Sequence, residues 1–134
     1  MASNNDKHYV VTVTETSRDI KPVDKVRLKD LQGARMVKDI IPKVGDAVAF
    51  TPEAYIVVHV TNEYSRNDKE YDQLVILTTE GDRILTGSPS FMDAFKSLWA
   101  ELEDAIFEGE RFEFVMKRGE SKGNDSGYLT CYLK

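Results

Sequence analysis

Tyrosines near the end of the chain have the type and spacing needed to stack against unpaired bases. Tyr128 and Tyr132 lie four residues apart in an alternating run, out of phase with Leu129 and Cys131. Alternate side chains of a strand point to opposite faces, so both rings face outward if the aliphatic side is core. Stacking a base on such a ring contributes about 1–3 kcal/mol. The run is a candidate base-stacking surface, and a surface that covers a protein partner is the alternative.

Basic residues near these rings could contact a phosphate backbone. Residues 111–116 and 128–133 both alternate like strands, and we predict that they form a β-hairpin joined by an oversized loop of roughly eight to ten residues. The glycines of that loop would permit close backbone approach to a ligand, whereas a surface hairpin without a ligand is the alternative. A second basic segment lies in the polar connector 62–70. The candidate phosphate contacts are Arg66, Lys69, Lys117, Arg118 and Lys122.

A second aromatic set lies in and after the apolar run 54–60. If Ile56, Val58 and Val60 point inward, the residues between them form an outer face. Other rings flank the connector that follows. The further candidates for base contact are Tyr55, His59, Tyr64 and Tyr71. We expect His59 to be solvated or stacked rather than to bind a metal, and Phe112, Phe114 and Trp99 to be core.

No pattern typical of catalysis or metal binding stands out. His8 and His59 are far apart, and neither belongs to a zinc-ligand spacing. The sequence contains no Gly-x-Ser-x-Gly elbow and no phosphate-binding loop of the Walker type. Residues 87–90 (GSPS) are typical of a helix cap. We therefore predict a protein that is not an enzyme and has no catalytic residue, cofactor or metal.

Composition indicates one domain in a reducing compartment. A chain of 134 residues is of single-domain size, and the lone Cys131 has no disulfide partner. No apolar run approaches membrane-spanning length, so we predict a cytoplasmic protein that does not enter the membrane. The net charge of −5 argues against a nucleic-acid partner. Residues 18–43, however, carry eight Lys/Arg against four Asp/Glu, so the charge is unevenly distributed.

Periodicity predicts a mainly β protein. Strands are expected at residues 8–16, 54–60 and 71–79, the last turning at Gly81 into 83–86. A helix is expected over 89–108, capped by Ser88 or Ser90 and ended by Gly109. Residues 17–45 stay undecided between helix and strand. The order fits a five-stranded Greek-key barrel like the oligonucleotide-binding (OB) fold, with the helix between strands three and four. We predict one such domain over 1–134, with 1–7 as a flexible leader.

The second half of the chain resembles a known family of small binding proteins. The segments that carry the likeness are LVILTTEGDRILTGS, the helix SFMDAFKSLWAELEDAI, ERFEFVMKRGESKG and GYLTCYL. They are similar to the single-stranded DNA-binding proteins of phages that infect Gram-positive bacteria, and no match precedes Gly45. The resemblance implies an OB-fold protein of phage DNA replication or recombination, in the bacterial cytoplasm. It would coat and protect single-stranded DNA, as a monomer or homodimer, alongside possible replication partners.

A protein-binding function is the alternative. The predicted helix is acidic, because residues 91–108 hold one Lys against five Asp/Glu. Aromatic residues are as typical of protein interfaces as of base-stacking surfaces. The chain could therefore be a small adaptor or inhibitor that acts on a host protein through this helix and the strand tyrosines.

Overall fold

The computed structural model describes residues 9–62 and 70–134, which form a mainly β protein with three helices. The strands are β1 (Tyr9–Thr16), β2 (Arg35–Met36), β3 (Ala47–Phe50), β4 (Pro52–Asn62), β5 (Glu70–Thr78), β6 (Arg83–Thr86), β7 (Phe114–Ser121) and β8 (Asn124–Leu133). The helices are α1 (Pro22–Lys29), α2 (Val37–Ile40) and α3 (Pro89–Phe107). No helix in the described part of the chain is both long and apolar enough to cross a membrane. The predicted leader 1–7 lies outside the described residues.

The strands form two sheets, and within the described residues neither closes into a barrel. One sheet has the order β1-β4-β5-β6-β2 and the other β3-β7-β8. All pairs are antiparallel except β2 with β6. A closed five-stranded barrel would need another strand along the second edge of β8, but α3 packs there. The Ser90 hydroxyl of α3 donates to the Leu129 carbonyl of β8 at 2.6 Å. The mainly β prediction is confirmed, whereas the predicted barrel is not observed.

Helix α3 forms where the sequence predicts it. Ser88 is the N-cap, and its hydroxyl accepts a hydrogen bond from the Phe91 amide at 3.3 Å. Gly109 follows the last turn with φ 108°, the left-handed conformation that ends helices. Phe91, Phe95 and Trp99 are buried, as expected. The helix therefore fills the space between the two sheets.

Strand β4 is buried on both faces, because a different layer covers each one. Ile56 and Val58 pack in a cluster with Leu28 of α1. Tyr55 and Val57 pack in the main core, which also holds α3 and the inner face of the three-stranded sheet. The alternate residues of this strand were predicted to form an outer face, but Tyr55 and Val57 are buried and only His59 is partly exposed.

The segment left undecided by its sequence contains two short helices and a two-residue strand. Helix α1 packs against β4 and β5, although Val23 and Val26 stay exposed on its outer side. Arg83 of β6 holds the C-terminal end of α1 in place. Its guanidinium group donates to the carbonyls of Arg27 at 3.1 Å and Gln32 at 3.1 Å and also to that of Asp30. Such contacts between distant residues leave no periodic trace in the sequence.

The final hairpin is tighter than predicted. Strands β7 and β8 remain paired to Ser121 and Asn124, with a register shift after Gly119. Only Lys122 and Gly123 form the turn, and Gly123 has φ 75°. The prediction of an oversized loop was wrong because residues 120–126 are polar and exposed on both faces of the hairpin, so the strands show no apolar alternation there.

Candidate nucleic-acid interface

The side of the three-stranded sheet that points away from α3 is exposed or partly exposed at every residue except Val115, which is 8% exposed, and we call it the outer face. The strand register places Val115 opposite Tyr132, Lys117 opposite Thr130 and Gly119 opposite Tyr128. Strand β3 adds two exposed alanines beside β7. The inner face holds Phe114, Met116 and Cys131 in the core. The outer-face residues are Ala47, Ala49, Val115, Lys117, Gly119, Tyr128, Thr130 and Tyr132.

Tyr128 and Tyr132 lie on this outer face, and both rings are exposed. Their exposed fractions are 46% and 44%, large enough for each to offer part of a ring to a ligand. The expected outward orientation of both tyrosines is confirmed. Because they are four residues apart on one strand, about 13 Å separates their backbone positions. The two rings can therefore contact different parts of one extended ligand.

A lysine lies between the two tyrosines. Lys117 pairs with Thr130, halfway along β8 between Tyr128 and Tyr132. In residues 9–62 and 70–134 no ion pair involves Lys117 or Lys122. Lys117 lies on the strand paired with β8, at the level between the two tyrosines, and is partly exposed. Lys122 is exposed in the turn at the tip of the same hairpin.

Arg118 is not a surface cation. It points to the opposite side of β7 from Lys117, and 9% of it is exposed. Its Nε donates to the Ile41 carbonyl at 2.7 Å, and Nη1 donates to the Ser126 carbonyl at 2.7 Å. Placing Arg118 in a phosphate-binding loop was therefore wrong. The residue belongs to a strand and holds neighbouring backbone segments together.

Tyr55 is also inside the protein. Its ring is 6% exposed and makes edge contacts with Phe95 and Trp99, with centroids 5.5 and 5.4 Å apart. Its hydroxyl donates to Glu15 at 2.8 Å, and burial together with this carboxylate raises the pKa of Tyr55. Tyr55 was predicted on an outer face and is instead a core residue that cannot stack with a base.

His59 and Tyr71 lie on the five-stranded sheet, away from the outer face. The two ring nitrogens of His59 contact Asp72 at 2.9 Å and Glu70 at 3.0 Å. These hydrogen bonds raise the pKa of His59. The acidic neighbours make this position unfavourable for a phosphate backbone. Tyr71 is 40% exposed but pairs with Val60, so it faces the other side of that sheet.

The structure thus brings together part of the predicted set. Lys117, Tyr128 and Tyr132 share the outer face, and Lys122 lies on the same hairpin. Three predicted contacts, Tyr64, Arg66 and Lys69, lie outside the described residues. Gly119, Thr130 and the β3 alanines also lie on the outer face and were not predicted from the sequence. A glycine within a strand is the one signal that could have indicated a close contact.

The described residues hold one free cysteine, Cys131. Cys131 is buried, and burial raises the pKa of its thiol to about 12. No group of three or more Cys, His, Asp or Glu in the described ranges could hold a metal ion.

A comparison of the chain with protein-family models, curated proteins and solved structures finds no match.

Proposed function

We propose that this protein binds single-stranded DNA without catalysis, through the outer face of its three-stranded sheet. The observation that carries the proposal is the placement of two exposed tyrosines on one face of β8 with Lys117 between them. Sequence-tolerant binders of single strands combine aromatic rings, which stack on bases, with cations that follow the phosphates. This face offers both groups on a sheet whose other side is core.

The rigidity of the face supports the proposal. The inner face of the same strands packs against α3 through Phe114, which is fully buried and contacts Phe50 and Phe95 with centroids 5.8 and 5.5 Å away. Side chains on a packed sheet lose less conformational entropy on binding than those on a mobile loop. Tyr128 and Tyr132 therefore stand on a preorganised support.

The acidic composition limits how the protein could bind a polyanion. With a net charge of −5, attraction must come from a few local cations, and on this hairpin those are Lys117 and Lys122. Arg66 and Lys69, which lie outside the described residues, are further proposed contacts. Each phosphate contact on a single strand steepens the salt dependence by about 0.7 logarithmic units. We therefore expect moderate, salt-sensitive binding in which stacking supplies much of the affinity.

The likeness to phage single-stranded DNA-binding proteins leads to the same function. It would make the protein a coat for exposed strands during DNA replication or recombination, in the cytoplasm of a bacterial host. We also propose a relationship to the OB fold. The order of elements supports it, because α3 lies between a strand meander and a final hairpin. The two open sheets depart from a closed OB barrel.

A binding titration tests this function. Fluorescence anisotropy of a labelled oligothymidylate is followed at low and moderate salt, with the same labelled strand annealed to its complement as the control. We expect tighter binding of the single strand than of the duplex, and weaker binding as salt rises. Absence of binding even at low salt would contradict the proposal.

One observation favours a protein partner as the second candidate. Helix α3 exposes a set of acidic residues along one side and leaves Phe107 54% exposed at its end. The exposed acidic residues of α3 and its C-cap are Asp93, Glu101, Asp104 and Glu108. Such a surface would suit a basic protein partner. This adaptor function predicts that the wild type does not bind the oligonucleotide even at low salt.

A further inference from the structure

We infer that Gly119 positions the Tyr128 ring as a flat platform, and that this makes the outer face selective for an unpaired base over a base pair. The inference rests on the proposed function, because it concerns how the same face would recognise its ligand. It assigns a positioning role to a glycine, which has no side chain that could contact the ligand itself.

The ring of Tyr128 occupies the space where a side chain at position 119 would begin. A Cβ added to Gly119 would lie 2.7 Å from both Cε1 and Cζ of Tyr128, and 2.8 Å from its hydroxyl oxygen. Contacts under 3.0 Å are essentially never made by a Cβ atom. The phenol end of the ring therefore crosses β7 directly over the Gly119 backbone.

Backbone geometry does not explain this glycine. Gly123 and Gly127 have φ values of 75° and 73°, in the left-handed region that disfavours other residues. Gly119 does not have a φ in that region. A side chain at Gly119 is thus excluded by the ring of Tyr128 rather than by the backbone. Aromatic side chains commonly cover a glycine on a neighbouring strand in this way.

The consequence for recognition follows from which part of the ring remains open. With one side of Tyr128 against the backbone, the opposite side faces solvent, consistent with its exposed fraction of 46%. A ring in this position offers its π-face, which stacks on the face of a base. A base inside a duplex already has neighbours on both faces, so only an unpaired base can cover Tyr128 fully.

Four proteins test the inference in one binding experiment: wild type, Gly119→Ala, Tyr128→Ala and the double variant. Affinity for a labelled oligothymidylate and for its duplex is measured by anisotropy, and folding is checked by thermal unfolding. Gly87→Ala is the matched control, because its Cβ would meet nothing closer than 3.6 Å and its φ is not left-handed.

We expect Gly119→Ala to weaken single-strand binding by at least about fivefold and to reduce the preference over duplex, because the ring can no longer lie flat. The double variant should bind no more weakly than Tyr128→Ala, since the glycine acts through that ring. Gly87→Ala should stay within about twofold of wild type. Wild-type affinity in Gly119→Ala, or additive losses in the double variant, would overturn the inference while the proposed function stood.

A second measurement keeps the inference testable if Gly119→Ala does not fold. In the NMR spectrum of the wild type, the Gly119 α protons should be shifted upfield by the Tyr128 ring, and the shift should vanish in Tyr128→Ala. Its absence would overturn the inference. Failure of the wild type to bind any oligonucleotide would overturn the proposed function, and the inference with it.

Discussion

The guanidinium group of Arg118 donates from Nε to the backbone carbonyl of Ile41 at 2.7 Å. The same side chain donates to the carbonyls of Ser126 at 2.7 Å and Lys38 at 3.4 Å. One buried cation thus joins β7 to the end of α2 and to β8. Because a helix C-terminus carries partial negative charge on its free carbonyls, an arginine there is favourable. This arginine stabilises the fold and is unavailable to a ligand.

Replacement of Arg118 by alanine should therefore destabilise the protein. The buried carbonyls lose their donor, and we expect a loss of about 3 kcal/mol in the free energy of unfolding. Chemical denaturation measures it, with Lys122→Ala as a control that should change stability by less than about 0.5 kcal/mol because the side chain is exposed. An Arg118→Ala protein as stable as wild type would contradict this role.

Arg118 shows why sequence reasoning misplaced a site residue. Each of the three helices has an arginine that donates to a carbonyl near its last turn: Arg83 at α1, Arg118 at α2 and, from just beyond the helix end, Arg111 at α3. In sequence these residues look like free charges beside glycines and polar residues. Their partners are 56, 77 and 5 positions away. Only the folded chain shows which cations are already occupied.

Stability should depend on pH through His59. Asp72 and Glu70 raise its pKa in the folded protein above the ordinary value of 6.5. A raised pKa means that the stabilising contribution is complete below pH 6.5 and is lost as pH rises through the folded-state pKa. The melting temperature of His59→Gln should therefore fall less than that of the wild type as the pH is raised above 6.5. If NMR titration of the His59 ring gave a midpoint at or below pH 6.5, the raised pKa would be contradicted.

Cys131 should be unreactive in the folded protein. Burial raises its pKa to about 12, so almost no thiolate exists near neutral pH. We expect a thiol reagent at pH 8 to modify it only slowly in the native state and rapidly in denaturant. Fast modification of the native protein would show that β8 opens readily or that its inner face was misassigned.

The elements that could be predicted are those with a strong local signal. Helix α3 has an apolar stripe, a serine cap and a terminal glycine, and it forms within a residue or so of its predicted bounds. The orientation of Tyr128 and Tyr132 followed from strand alternation. The same reasoning gave the wrong orientation for Tyr55, because β4 is covered on both sides. Alternation indicates an outer face only where one side of a strand is solvated.

The salt dependence of binding should report on Lys117. If its ammonium group contacts a phosphate, Lys117→Ala should flatten the plot of log affinity against log salt concentration by about 0.7. Lys25→Ala is a matched control, because Lys25 lies exposed on α1, which packs against β4 and β5. Equal slopes for wild type and Lys117→Ala would show that Lys117 does not contact a phosphate.

The affinity of Tyr128→Ala and Tyr132→Ala for a labelled oligothymidylate tests the central claim most directly. Stacking predicts that each variant binds about five- to 150-fold more weakly than wild type, with the native fold retained as judged by circular dichroism. Phe107→Ala is the matched control, since it removes a similarly exposed aromatic ring from the end of α3. Wild-type affinity in both folded variants would contradict the assignment of the outer face as the single-strand binding surface.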